Sequence, residues 1–201
     1  GKGRSAGIEF MAQKTAGKTT GWLSYTLSKS DRKFTKGGIN NGEWFPYKYD
    51  RRHSINLTIN HKFSDRIDIG ASWVFYTGGT STIPEEKTTV IRPHNGANNG
   101  FLWYGTYDNT NSSPTIGDVS YIEHRNNFRL PASHRLNLGV NFNKKTKHGM
   151  RTWNISLYNA YNAMNPAWVY RGHNKQGLSV IKKYTLLPLI PSFTYTYKFR
   201  I

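Results

Sequence analysis

His53-Ser54-Ile55-Asn56-Leu57-Thr58-Ile59-Asn60-His61-Lys62-Phe63 is the stretch that decides the fold class. Its apolar residues Ile55, Leu57, Ile59 and Phe63 occupy every second position, and Ser54, Asn56, Thr58, Asn60 and Lys62 fill the places between them. A period of two puts successive side chains on opposite sides of an extended backbone, so the segment reads as a β-strand with one oily face and one small, polar face. Only His61 interrupts the oily row.

Six further segments alternate in the same way: 7–14, 19–28, 67–76, 134–142, 152–158 and 192–201. Ile8, Phe10 and Ala12 oppose Glu9, Met11 and Gln13, while Leu23, Tyr25 and Leu27 oppose Trp22, Ser24, Thr26 and Ser28. Ile67, Ile69, Ala71, Trp73 and Phe75 share a face, as do Leu136, Leu138, Val140 and Phe142, and then Trp153, Ile155 and Leu157. The last segment aligns Phe193, Tyr195, Tyr197, Phe199 and Ile201. None of these seven apolar faces carries a charge, whereas Glu9, Lys62, Asp68, Arg135, Lys198 and Arg200 lie on the opposite faces among Ser, Thr and Asn.

Alternation alone fits a soluble β-sandwich as well as a membrane barrel, because both have one greasy sheet face. Connection lengths distinguish the two. The links around Ala16 and Gly17, at Ser64 to Arg66 and at Asn143 to Gly149 are short, and those at 29–52, 77–133 and 159–191 are long. Loops beyond about 15 residues are uncommon in compact domains, and here every second connection is one. An outer-membrane barrel has this arrangement, with short periplasmic turns, long extracellular loops and strands that alternate lipid-facing and lumen-facing residues. Small polar residues suit a wet lumen, and the strand-end aromatics Phe63, Phe75, Phe142, Trp153, Tyr197 and Phe199 suit interfacial girdles. The expected fold is therefore all-β, an antiparallel up-and-down transmembrane β-barrel wall of about seven strands. A seven-stranded meander leaves two edges that lipid cannot satisfy, so residues 1–201 are expected to form only part of a barrel domain.

Composition narrows the function classes. Across 201 residues, 28 Lys and Arg against 11 Asp and Glu give a formal charge of +17, which draws the chain toward phosphates, nucleic acid or anionic headgroups. Aromatics make up 14% of the chain, too many for a disordered basic tail. The absence of cysteine removes disulfides, thiolate metal sites and cysteine nucleophiles. No run of about 18 apolar residues encodes a transmembrane helix.

Several motifs resemble those of a known family. These are Gly1-Lys2-Gly3-Arg4-Ser5-Ala6-Gly7-Ile8-Glu9-Phe10, Trp44-Phe45-Pro46-Tyr47-Lys48-Tyr49-Asp50-Arg51-Arg52-His53, Pro131-Ala132-Ser133-His134-Arg135-Leu136, Asn159-Ala160-Tyr161-Asn162 and the aromatic-alternating C-terminal segment. In their order and spacing they resemble the C-terminal part of TonB-dependent outer-membrane receptors. The resemblance implies a barrel of roughly 22 strands, of which these would be the last seven, with a plug domain and a TonB-contacting segment that this sequence lacks. It also implies nutrient uptake across the bacterial outer membrane, without catalysis and without a cofactor or metal. The partners it implies are lipid and lipopolysaccharide, the remainder of the receptor chain, TonB through the missing N-terminal part, and a surface lipoprotein. The strand of Phe193, Tyr195, Tyr197, Phe199 and Ile201 would carry the assembly signal, although the family often ends on Phe and here Phe199 is followed by Arg200 and Ile201.

Other motifs carry less. Gly17-Lys18-Thr19 ends like a phosphate-binding loop, but Ala12 stands where that loop requires Gly, so a turn is expected. Ser72 follows Gly70 as in a nucleophile elbow, yet Val74 replaces the second Gly. His53 and His61 share a strand face about 26 Å apart, too far for one ion. Lys144, Lys145, Lys147 and His148 read as a solvated turn. In the long connections, Trp44, Tyr47, Tyr49, Arg51 and Arg52, with Trp103, Tyr104 and Tyr107, are the candidate substrate contacts, since aromatic and Arg side chains dominate binding surfaces. Two alternatives remain: a soluble basic β-protein that binds single-stranded nucleic acid, and a complete eight-stranded barrel using 168–170 or 178–184. We expect those two pieces to form a loop hairpin around Gly172 to Gly177 instead, and nucleic acid not to be a partner, because most strand aromatics sit on the uncharged face.

Overall fold

The structure, a computed structural model, describes residues 1–92 and 115–199, with the side chains of all of these except 86–92 and 115–119. The chain divides into two compact units, one of residues 1–83 with 124–201 and one of residues 84–123. Seven long strands form the main sheet of the larger unit: β1 (Lys2–Lys14), β2 (Thr19–Lys33), β3 (His53–Lys62), β4 (Ile67–Tyr76), β5 (Ser133–Thr146), β6 (Gly149–Tyr158) and β7 (Ile190–Phe199). Each pairs antiparallel with the next in sequence, so the fold is an all-β meander. The smaller unit is a hairpin of Glu86–Arg92 against Thr115–Tyr121, lying within the long fourth-to-fifth connection.

The three tight turns have local causes. Gly17 takes φ +93, a left-handed conformation that costs a residue without Cβ nothing, so Gly17-Lys18-Thr19 is a turn leading into β2. At the next turn the Ser64 hydroxyl accepts from the backbone N–H of Arg66 (3.2 Å) and of Ile67 (3.1 Å). At the third, β5 and β6 run further than their side-chain pattern indicates and leave only Lys147 and His148 as the turn; Lys144 and Lys145 are strand residues paired with Arg151 and Met150.

The register turns the alternation of each strand into continuous rows across the sheet. One row runs Ala12, Leu23, Leu57, Trp73, Leu136 and another Ile69, Val140, Ile155, Phe193. A slip of one residue anywhere would move an entire oily set onto the polar side. On that polar side Asp68 accepts from the Asn141 amide (2.7 Å) and the Asn143 amide (2.6 Å). Asn154 in turn donates to Asn141 (2.7 Å) and Thr152 to Asn143 (2.7 Å), a ladder of polar side chains tying three strands together.

The sheet has no apolar interior. Among the described residues the buried apolar side chains are Phe45 and Ile83, neither on a long strand, and the buried polar ones are Asp31, Asn40, Asp50, Thr80, Ser133 and Asn159. Ile8, Phe10, Ile155 and Phe193 are 72%, 57%, 50% and 65% exposed, and the other oily side chains of the long strands are at most half-buried, with Tyr161 reaching Trp73 at one end of the face (3.1 Å).

β1 and β2 extend well past their oily stretch, pairing from Lys2 with Lys33 through Lys14 with Gly21. Backbone hydrogen bonds continue there although Gly, Ser and charged residues hide the period. The long connections also contain short pairings, Phe45–Pro46 on β2 and Thr80–Ser81 with Phe128–Arg129. Pro166–His173 and Ser179–Thr185 form a separate two-stranded hairpin that turns at Gly177 (φ +79), not further members of the main sheet.

Candidate functional site

Where the long connections gather, β2 sorts its charges by parity. Asp31 has the parity of the oily face and Arg32 that of the polar face. The Asp31 carboxylate, 5% exposed, is held by Arg4 (2.9 Å) and Lys29 (3.5 Å), and the Arg4 guanidinium lies 4.4 Å from the centre of the Trp44 ring. Trp44 therefore stands with cations just beyond the oily band, away from the polar face.

On the polar side a frame of side-chain clips fixes the connections. Asp50, 2% exposed, accepts from the Ser30 N–H (2.7 Å) and from Arg129 Nη2 (2.6 Å). The other Arg129 nitrogen donates to the carbonyls of Asp50 (3.0 Å) and Gly78 (2.9 Å). Asn40 and the Arg125 backbone bond reciprocally, the amide donating to the Arg125 carbonyl (3.0 Å) and its oxygen accepting from the Arg125 N–H (2.7 Å). Asn127 makes the same pair of bonds to Ile83, at 2.9 Å each, and Asn126 donates to the Pro46 carbonyl (2.8 Å). Thr80 closes the frame by donating to the Tyr47 carbonyl (3.0 Å). Satisfied polar groups around the buried Phe45 and Ile83 restrict each segment to one geometry.

The frame bounds an open cleft of about 500 Å³. Arg32, Lys48 and Arg125 line it, together with Phe34, Phe45 and Tyr47, and among the described residues no acidic side chain does. The Arg32 guanidinium sits 4.1 Å from the centre of the Tyr47 ring, and Phe34 stacks on Phe45 at 6.1 Å. Such a surface can bind anions and flat or apolar bodies.

Of the contacts expected from the sequence, Tyr47 lines this cleft, and Tyr49 packs its edge on Tyr47 (5.4 Å) with Lys48 above it (5.6 Å). Arg51 covers the Tyr76 ring at 3.9 Å, and Arg52 gives its carbonyl to the Ser28 N–H (3.0 Å). Trp103, Tyr104, Tyr107 and Ile201 lie outside the described residues. Phe193, Tyr195, Tyr197 and Phe199 are on β7, where Trp153 packs against Phe193 (5.0 Å) and Tyr195 (4.5 Å). Phe34, Arg125 and Asn126 were not singled out by sequence reasoning, because their proximity arises from pairing across about 80 residues of chain. The two strand histidines are each engaged by a hydroxyl, His53 by Tyr25 (2.9 Å) and His61 by Thr19 (2.7 Å).

No protein-family model matches the chain, and no curated protein or solved structure matches it either.

Proposed function

We propose that the chain is wall and mouth of a bacterial outer-membrane β-barrel of the TonB-dependent receptor kind, which admits a nutrient without catalysing a reaction. One observation carries this reading: no apolar side chain of the seven long strands is buried, although their oily residues align in rows that only histidines interrupt. In water such a face would cost about 25 cal/mol for each Å² left exposed, whereas hydrocarbon covers it. The opposite face, with its Asp68, Asn141 and Asn154 ladder, suits a hydrated lumen. Charged Arg4, Lys29 and Asp31 with Trp44 then stand at the headgroup level above the oily band, where lipopolysaccharide phosphates and interfacial aromatics meet. The family assignment rests on the ordered motifs, and the remaining strands, plug and TonB contact belong to the proposal with it. The missing strands would pair with the free edges of β1 and β7.

Because the chain lacks cysteine, single cysteines report cleanly. Leu57→Cys and Asn56→Cys, each labelled with an environment-sensitive fluorophore in lipid vesicles, should differ: a blue-shifted, lipid-quenched signal at 57 and a water-like signal at 56. Water-like signals at both sites, with saturable and salt-sensitive binding of single-stranded nucleic acid by the detergent-free chain, would replace the barrel with a soluble basic sheet.

A further inference from the structure

We propose that the cleft between the upper end of β2 and the 124–129 segment binds a small solute carrying a phosphate or carboxylate group. This deepens the uptake reading by naming the substrate class. It rests on that reading only for the passage of the solute, not for its capture. Three basic residues, Arg32, Lys48 and Arg125, line the space, and two acids close to it in the chain are engaged elsewhere: Asp31 has the parity of the other face, bound by Arg4 and Lys29, and Asp50 is held by Arg129. An anion entering the cleft therefore meets donors with no carboxylate of the described residues in the lining. Arg32 has five N–H donors, one of which is given to the Asp31 carbonyl (3.1 Å), and its stacking on Tyr47 fixes the guanidinium plane.

Placement argues for a site and not for a stray basic surface. The backbone of Arg125 is clamped by Asn40 and that of Lys48 accepts from the Thr80 N–H (3.1 Å), so the positions from which two of the cations project are held by bonds that their own charges do not make. Fixed positions lower the ordering cost of binding. The volume, about 500 Å³, lies in the usual range for small-molecule sites, and the rings of Tyr47 and Phe34 offer a face to the uncharged body of the solute.

Calorimetric titration of the full chain in detergent micelles tests this with glucose 6-phosphate, glucuronate and uncharged glucose as probes. Saturable binding of either anion, weakened by salt and absent for glucose, is expected, and the relative affinities of the two anions tell phosphate from carboxylate. The paired variant Lys48→Gln with Arg125→Gln should lower affinity about tenfold or more, since each charge-assisted bond lost is worth that much. Both side chains are exposed and the clamps use backbone, so strand content by circular dichroism should be unchanged. Lys144→Gln with Lys145→Gln, at the far end of β5, should leave affinity unaltered. Binding of glucose as tight as of the anions, equal weakening by the far-end pair, or no saturation with either anion would overturn the proposal. If the labelled cysteines stay water-like in vesicles while anion binding persists, the membrane reading fails and the cleft stands; the reverse pattern removes the cleft alone.

Discussion

Asparagine does at single positions what apolar packing does in other folds. Asn159 is 1% exposed with φ +54, and its amide donates to the carbonyls of Ala163 (3.0 Å) and Leu187 (3.1 Å) while its oxygen accepts from the Ala163 N–H (2.8 Å). Asn tolerates the left-handed region because its short polar side chain bonds locally. Replacing Asn159 with Ala leaves three backbone groups short of partners and strains φ. The expected loss is about 3 kcal/mol, seen as a lower denaturation midpoint in detergent and faster exchange of the Ala163 amide. Asn159→Asp keeps the acceptor and the conformation but turns a carboxylate oxygen on the carbonyls of Ala163 and Leu187 at a site 1% exposed, so at neutral pH it should lose at least as much. The Asn159-Ala160-Tyr161-Asn162 motif was visible in the sequence, but its clamping role was not, since the Leu187 carbonyl comes from a distant segment. Asp65, in the turn before β4, behaves more simply. A hydrogen bond from Lys62 (2.9 Å), its charge, and then the charge of Lys145 hold the carboxyl below its ordinary value of 3.8. A depressed value in the folded state means that the small stabilisation is present above pH 3.8 and fades as pH falls through the lower folded value. An NMR titration should place the Asp65 midpoint below 3.8, and Lys62→Gln should return it toward that value.

At the level of elements, the legible part of the fold is the part where side chains differ between faces. β3 and β4 begin and, to within a residue, end where alternation places them, because the oily row and the polar row coexist along their whole length. β1 and β2 were legible only over their oily half. Residues 2–6 and 29–33 hydrogen-bond as well as the rest, but Gly, Ser and charge on both faces leave no period to read. The short pairings above the wall were illegible for another reason: two residues cannot carry a pattern. Thr80–Ser81 meets Phe128–Arg129 because Gly78 lets the chains approach, and a Cβ there would collide with the Leu130 carbonyl oxygen and lie 2.7 Å from that of Pro131. Gly78→Ala should therefore open this pairing, and the Arg129 bond to the Gly78 carbonyl with it, without disturbing the wall. Limited proteolysis should cut within 77–83 at a rate several-fold above that of the unaltered chain, while circular dichroism of the strands stays constant. Equal protease resistance would mean that Leu130 can yield without breaking the frame.

For the whole molecule, the arithmetic of faces and edges decides what surrounds it. Seven paired strands contain six ladders, and β1 and β7 each present one side with no described partner. Free edges and an uncovered oily face each invite association, the first through backbone bonds and the second through apolar area, and together they make an isolated sheet sticky in water. Formal charge of +17 opposes aggregation but cannot satisfy either surface. Detergent covers the face and leaves the edges, so the two demands separate experimentally. In micelles, amides of β3, β4 and β5, bonded on both sides, should resist hydrogen exchange for the longest times. In β1 and β7, alternate amides should exchange early, those whose N–H points away from β2 and β6. Residue-resolved exchange by NMR reads this directly. Uniform protection along β1 and β7 would show that the edges have found partners in another copy. Uniform rapid exchange across all seven strands would show that the oily face needs more than detergent to hold the sheet, which would tie the stability of the wall to the closure of a complete barrel.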